Sequence, residues 1–198
     1  MYLYFKRFLD LVLSLCAIIV LLPVILILSI IIKIDDPSGP VFFRQKRFGK
    51  DKEFFYIFKF RTMKQDAPHD VPTEDVVDPL QYVTRSGKWI RRYSLDELPQ
   101  FFNVFIGDMS IVAPRPALWN QDNLIRERDK YTGKYGLTPN NYRPGITGWA
   151  QINGRDALND AAKAAMDGEY VRNISFLFDC RCFFGTFLKV FRHEDVKE

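Results

Sequence analysis

The sequence predicts an α+β protein, mostly helical, with an N-terminal membrane helix ahead of a small domain. Three observations carry this: an unbroken apolar run over 11–32, two aromatic and β-branched segments over 41–45 and 54–61, and an aromatic-rich amphipathic stretch over 174–191. The boundary falls at Asp36, giving a membrane-inserted helix over 1–36 and a folded domain over 37–198. At 198 residues the chain can bury a core without disulfide staples. Its net charge of +4 hides a basic segment, with eight Lys/Arg against two acids between Val41 and Lys64. Such a segment favours anionic partners such as lipid head groups or phosphates, and its place beside a bilayer anchor argues against nucleic acid. Cys16, Cys180 and Cys182 form neither a zinc pattern nor a disulfide framework, and His69 and His193 are isolated.

From Leu11 to Ile32 the chain carries no charge, and as a helix this run is roughly 33 Å long, enough to cross a bilayer's hydrocarbon. Two features argue against a straight crossing. Pro23 removes a backbone hydrogen bond near the middle. Both flanks are basic, with Lys6 and Arg7 before and Lys33, Arg44, Lys46 and Arg47 after, as if both ends were cytoplasmic. From the residues alone, a spanning helix and one that enters and leaves a single leaflet both stay open. Tyr2 and Tyr4 suit the headgroup region, and Asp10 and Ser14 suit local bonding where the helix enters it.

Asp36-Pro37-Ser38-Gly39-Pro40 ends the helix, and the turn 48–52 joins the two strand-like segments into a hairpin. Lys59 and Arg61 share one face of the second strand, a pair that could grip a phosphate. Residues 65–84, with five acids and three prolines, read as a loop. A basic helix over 86–93, with Arg91 and Arg92 at its end, then leads into Ser94-Leu95-Asp96-Glu97-Leu98-Pro99-Gln100. Ser94 and Glu97 have capping-box spacing for a helix from Leu95, and Pro99 allows a second register starting at Leu98–Pro99. Either way Asp96 and Glu97 sit at the positive end of a helix dipole, which favours their ionised forms. Acids at a helix start are ordinary, so this stretch alone does not make a site.

Downstream, a short strand Ile111–Ala113 precedes Pro114-Arg115-Pro116, where flanking prolines restrict the backbone around one guanidinium. Arg143-Pro144-Gly145-Ile146-Thr147-Gly148 and Gln151-Ile152-Asn153-Gly154-Arg155 are two further arginine loops. Three such loops after a carboxylate pair suggest a site for a polyanion with at least two phosphates. A helix begins near Met166, and 174–191 reads as a basic-edged helix fit either for the membrane interface or for the domain's own core.

These motifs, taken in order with Phe58-Lys59-Phe60-Arg61-Thr62-Met63, Asn103-Val104, Gly107-Asp108-Met109-Ser110 and the run Asp167…Tyr170…Asn173…Ser175, resemble the bacterial sugar transferases. These are monotopic polyprenyl-phosphate phosphoglycosyl transferases, and the resemblance covers nearly the whole chain. It implies transfer of a sugar 1-phosphate from a UDP-sugar to polyprenyl (undecaprenyl) phosphate, with release of UMP, as the first membrane step of glycoconjugate assembly. It implies Asp96 as nucleophile, Glu97 as its partner, and Mg²⁺ held by Asp96 and Glu97. Arg115 and Arg143 would clamp the diphosphate, and Arg91 or Arg92 would contact the lipid phosphate. Gln151, Asn153 and Arg155 would line the nucleotide and phosphate pocket, with Lys59 and Arg61 as further phosphate contacts. It also implies a re-entrant helix broken at Pro23, a catalytic domain on the cytoplasmic face of the bacterial inner membrane, and a chain close to a minimal catalytic unit. Two departures stand out: Leu22 where a small polar residue often precedes the proline, and Ala113 where glycine is common. Two other readings compete, a membrane-bound phosphohydrolase and a non-catalytic adaptor that binds anionic lipid. A homodimer is left open, and the sugar is not specified.

Overall fold

The computed structural model describes residues 1–68, 79–154 and 158–192. Its longest element is α1 (Tyr2–Asp35), whose apolar residues are mostly outside the core: Ile19, Val20, Leu26, Ile27, Ile30 and Ile34 are all exposed. This is the one helix among the described residues long and apolar enough to cross a membrane. It runs through Pro23, so the proline interrupts the hydrogen-bond ladder without ending the helix.

One face of α1 is buried over two stretches, one on each side of Pro23. Lys6, Asp10 and Ser14 line it before Pro23, and Ile25, Leu28 and Ile32 line it after. At helical pitch these six positions fall on one stripe. The first half is docked by polar groups. Asp179 accepts from Tyr2 Oη at 2.5 Å, Lys6 Nζ at 2.7 Å and Tyr170 Oη at 2.7 Å. Asp10 accepts from the Ser110 hydroxyl at 2.8 Å and the Ile111 amide at 3.0 Å. The second half is docked by apolar contact, in a cluster of Ile25, Leu28, Ile32, Phe60 and Ile90. Past Pro23 the helix also ends on the domain, where Asp35 accepts from the Ser86 amide at 2.7 Å.

The expected hairpin is present as β1 (Phe42–Phe48) and β2 (Phe54–Phe60), antiparallel with Phe42 opposite Phe60. After it come α2 (Arg85–Arg92), capped by the Thr84 hydroxyl accepting from the Gly87 amide at 3.0 Å, and then α3 (Gln100–Ile106). Fully buried Asn103 joins α3 to the hairpin by acting as a third strand. Its side-chain oxygen accepts from the Phe58 amide at 2.9 Å, and its amide nitrogen donates to the Tyr56 carbonyl at 2.8 Å.

The strand expected near Ile111 is β3 (Ser110–Val112), and it pairs in parallel with β4 (Gly145–Thr147), which the sequence presented as a loop. Three residues are too few to show a period of two. Glycine permits the pairing: a Cβ on Gly145 would lie 2.3 Å from the Ala113 nitrogen, and one on Gly148 2.2 Å from the Ala113 oxygen. Ala113 itself fits, with its methyl in the main core. That core joins Ile57, Val104, Met109, Val112, Tyr170, Val171 and Cys182, where burial pushes the Cys182 thiol up to about 12 and leaves it a packing residue.

The remaining α-helices among the described residues are α4 (Asp122–Asp129), the single turn α5 (Trp149–Ile152), α6 (Asp160–Asn173) and α7 (Phe176–Arg192). α6 begins six residues before Met166, because the Asn159 side chain caps it by accepting from the Ala162 amide at 2.9 Å.

Candidate active site

Of the two predicted registers for the Ser94–Gln100 stretch, the one from Leu95 gives way and the one from Leu98–Pro99 holds to within a residue. Leu95–Glu97 forms a single 3₁₀ turn, and α3 starts only after Pro99. Ser94 sits in the left-handed region at φ 54° and makes no side-chain cap, so the capping box does not form. The reason lies in its partners. The Ser94 amide donates to the Arg91 carbonyl, and the Glu97 side chain is drawn away by two cations. The acids still lie at the N-terminal end of α3, where both registers placed them.

Lys59 Nζ lies 3.1 Å from Glu97 Oε1 and 3.7 Å from Asp96 Oδ2, and Arg115 Nη2 donates to Glu97 Oε1 at 2.6 Å. The side chains of Lys59, Asp96 and Glu97 are each under one-fifth exposed, so these charges meet in a poorly hydrated place where Coulombic terms are strong. Burial lowers the Lys59 ammonium below the ordinary lysine value, with Glu97 and Asp96 opposing that fall. Arg47 is a member that sequence reading did not nominate. Burial, and then the neighbouring Arg115 guanidinium, pull it down to about 9, while Glu97 opposes. It donates to the Pro116 carbonyl at 3.0 Å and to Gln45 Oε1 at 2.6 Å. Its signal was weak: the alternation of β1 puts residue 47 on the side of Phe43 and Gln45, but nothing local links it to residue 115.

Lys59, Asp96, Glu97 and Arg115 are thus brought together, while Arg61 and Arg143 are engaged elsewhere. Arg61 is buried at the end of α1, donating to the Asp36 carbonyl and paired with the Asp36 carboxylate at 3.4 Å. Arg143 Nε donates to the Gly107 carbonyl at 2.7 Å, beyond the C-terminus of α3, whereas the acids precede its N-terminus. Arg7 donates to the Val104 and Phe105 carbonyls there, so two guanidiniums cap the negative end of that helix. Arg91 and Arg92 close α2, Arg92 being exposed. Asn153 donates back to the Trp149 carbonyl at 2.8 Å. Gln151 is buried, and neither of its amide atoms has a hydrogen-bond partner among the described residues; the same holds for Gln100 beside the acids. Arg155 lies outside the described residues.

Asp96 and Glu97 are hard, adjacent oxygen donors. No group of three or more metal-ligating side chains occurs among the described residues. That set fits Mg²⁺, which typically keeps several waters and takes one or two carboxylates together with substrate phosphates. The arrangement can place one carboxylate nucleophile beside cations that hold and neutralise an anionic substrate.

A family model described as bacterial sugar transferase matches residues 1–193. The chain is similar to the UDP-glucose:undecaprenyl-phosphate glucose-1-phosphate transferase of Escherichia coli K12, 39% identical over 192 residues that cover 94% of this chain and 40% of that protein. It is 38% identical over 188 residues to the UDP-N-acetylgalactosamine-undecaprenyl-phosphate N-acetylgalactosaminephosphotransferase of Aeromonas hydrophila, covering 93% of this chain and 43% of that protein. A relative of similar length is the exopolysaccharide production protein PSS of Rhizobium leguminosarum bv. phaseoli, 36% identical over 190 residues, with 91% and 92% covered. The chain therefore spans less than half of the first two relatives.

Proposed function

The chain belongs to the bacterial sugar transferase family, and we propose that it transfers a sugar 1-phosphate from a UDP-sugar to a polyprenyl phosphate such as undecaprenyl phosphate, releasing UMP. The names of its relatives support this class of substrates. The observation that carries the reading is the seat of the acids. Leu95 and Leu98, on either side of Asp96 and Glu97, pack against the cluster that contains Ile25, Leu28 and Ile32 of α1. A soluble acceptor would have no use for carboxylates mounted on an apolar, outwardly exposed helix; a lipid-borne phosphate would.

In this mechanism an Asp96 carboxylate oxygen attacks the β-phosphorus of the UDP-sugar. The bond from that phosphorus to the bridging oxygen breaks, and UMP leaves with the electron pair. An oxygen of the polyprenyl phosphate then attacks the same phosphorus, which expels Asp96 and gives a polyprenyl diphosphate sugar. Lys59 and Arg115 hold Glu97 in place and offset the repulsion between carboxylates and diphosphate. Asp96 and Glu97 would hold Mg²⁺ together with substrate phosphates, and the ion would supply further charge neutralisation on the diphosphate.

The membrane helix is re-entrant in this reading, with the domain on the cytoplasmic face. Support comes from the stripe on α1, which is buried against the same domain on both sides of Pro23 and near both of its ends. A crossing helix would carry one end beyond a hydrocarbon layer of roughly 30 Å. α7 serves as an interfacial helix. Its exposed Phe176, Leu177, Phe184 and Leu188 continue the exposed Tyr4, Phe5 and Phe8 of α1 through a Phe5–Phe176 ring contact.

The deciding experiment incubates purified protein with Mg²⁺ and a panel of UDP-sugars, with and without undecaprenyl phosphate, and follows UMP. Lipid-dependent UMP from at least one sugar is the expected result. Its absence with every sugar would sink the transferase reading.

A further inference from the structure

Neither proline of Pro114-Arg115-Pro116 has an N–H, so the segment can do little to hold itself, and its carbonyls must find donors elsewhere. Each finds one. Pro114 O accepts from the Gly145 amide at 2.8 Å, Pro116 O from Arg47 Nη1 at 3.0 Å, and the following Ala117 O from the Phe48 amide at 2.9 Å. Those donors sit on the hairpin and on β4. The fourth is Arg128 of α4, whose Nη2 donates to Arg115 O at 2.9 Å.

Arg128 is itself held. Its Nε and Nη2 lie 2.8 and 2.6 Å from Asp167 Oδ2 on α6, and both residues are buried, 5% and 1% exposed. As a means of joining two helices this pair is a poor choice, because buried ion pairs are often no better than apolar residues of similar size. It is also incomplete, since Asp167 Oδ1 has no hydrogen-bond partner among the described residues. What an apolar pair could not do is aim a guanidinium nitrogen at a carbonyl. The carbonyl chosen belongs to the residue whose own guanidinium holds Glu97 at 2.6 Å.

We propose that Arg128, aimed by Asp167, is a positioning residue that fixes the Arg115 backbone so that the Arg115 guanidinium is presented to Glu97 and to the substrate's diphosphate. The diphosphate rests on the transferase reading; the linkage from Asp167 through Arg128 to Arg115 does not.

The test is a mutant cycle on the full chain in lipid nanodiscs: wild type, Arg128→Lys, Arg115→Ala and the pair. Lysine keeps the charge opposite Asp167 but cannot present two nitrogens from one rigid fork. Arg128→Lys should lower kcat/KM for the UDP-sugar about tenfold in the wild-type background and less than about twofold once Arg115 is alanine. Equal losses in both backgrounds, or no loss in either, would overturn the proposal, because a merely structural role costs the same whether or not Arg115 is present. Arg128→Met/Asp167→Leu adds a second arm. It should melt within a few degrees of wild type yet show the same kinetic loss, and wild-type kinetics in this swap would equally refute the assignment. Should it fail to fold, the lysine cycle decides. If the wild-type protein turns over no UDP-sugar, the transferase reading fails separately. Calorimetric binding of UDP to the same four proteins then judges the linkage: weakening by Arg128→Lys only where Arg115 is present supports it, and any other pattern rejects it.

Discussion

Lys59 and Glu97 are 38 residues apart in sequence and 3.1 Å apart in space, and the contact joins the hairpin to the turn that carries both acids. Asp96 lies 3.7 Å from the same ammonium. One half-buried cation therefore serves both carboxylates.

Removing the nucleophile gives the most direct test of the acids. Asp96→Asn should cut lipid-dependent UMP release by roughly 10³-fold or more, since the side chain keeps its shape and loses its nucleophilic oxygen. Glu97→Gln should cost on the order of 10²-fold, because it leaves Lys59 and Arg115 without their shared anion. A lipid-binding adaptor would lose nothing in either variant. Mass spectrometry of protein incubated with UDP-sugar in the absence of lipid should find a sugar-phosphate adduct on Asp96, absent from Asp96→Asn.

The half-buried Lys59 ammonium is expected to set the alkaline limit. Burial lowers Lys59 below the ordinary lysine value of 10.5, so it loses its proton earlier as pH rises. Activity that needs the cation is complete below the lowered value and falls as pH passes through it. The kcat/KM profile should therefore decline on its alkaline side before an ordinary lysine would titrate. Lys59→Arg should move that decline to higher pH, and an unmoved limb would assign it to another group.

Asn103 tests how the site is assembled. Asn103→Leu leaves the Phe58 amide and the Tyr56 carbonyl, one and three residues before Lys59, without their side-chain partner. Two part-buried backbone groups left unpaired should cost about 2–4 kcal/mol. For a chain of this size that is a fall of roughly 5–15 °C in melting temperature. Because the same amide fixes β2 against α3, kcat/KM should fall in protein that remains folded at assay temperature.

The approach of β4 to β3 is equally specific. A methyl on Gly145 would lie 2.3 Å from the Ala113 nitrogen and 2.4 Å from its oxygen, both backbone atoms. Gly145→Ala should thus destabilise by about 1–3 kcal/mol and disturb the Gly145–Pro114 hydrogen bond beside Arg115, measured as a lower melting temperature and a raised KM for the UDP-sugar.

Topology can be read by labelling. In a background lacking Cys16, Cys180 and Cys182, Tyr4→Cys and Ser38→Cys flank the apolar helix. A membrane-impermeant maleimide should label neither in intact cells and both in inverted vesicles. Labelling of Tyr4→Cys from outside would mean that the helix crosses.

Much of this protein is determined locally, and that much the sequence carries by itself. The length of α1, the hairpin with its turn, the adjacency of Asp96 and Glu97, and the restricted Pro114-Arg115-Pro116 backbone follow from hydrophobic run length, alternation and proline geometry, which need no distant partner. Which cations meet the acids was decided by tertiary structure. Arg115 and Arg143 each precede a proline in similar loops, yet one reaches Glu97 at 2.6 Å and the other caps the far end of α3. Arg47, with no such motif, ends up beside Arg115, and Ser94 gives up its cap because Lys59 and Arg115 draw the Glu97 side chain away. A charge in a sequence is only a capacity to pair. The pairing is fixed by which backbones approach, and here that depends on Asn103 joining a helix to a strand and on two glycines letting β4 lie against Ala113.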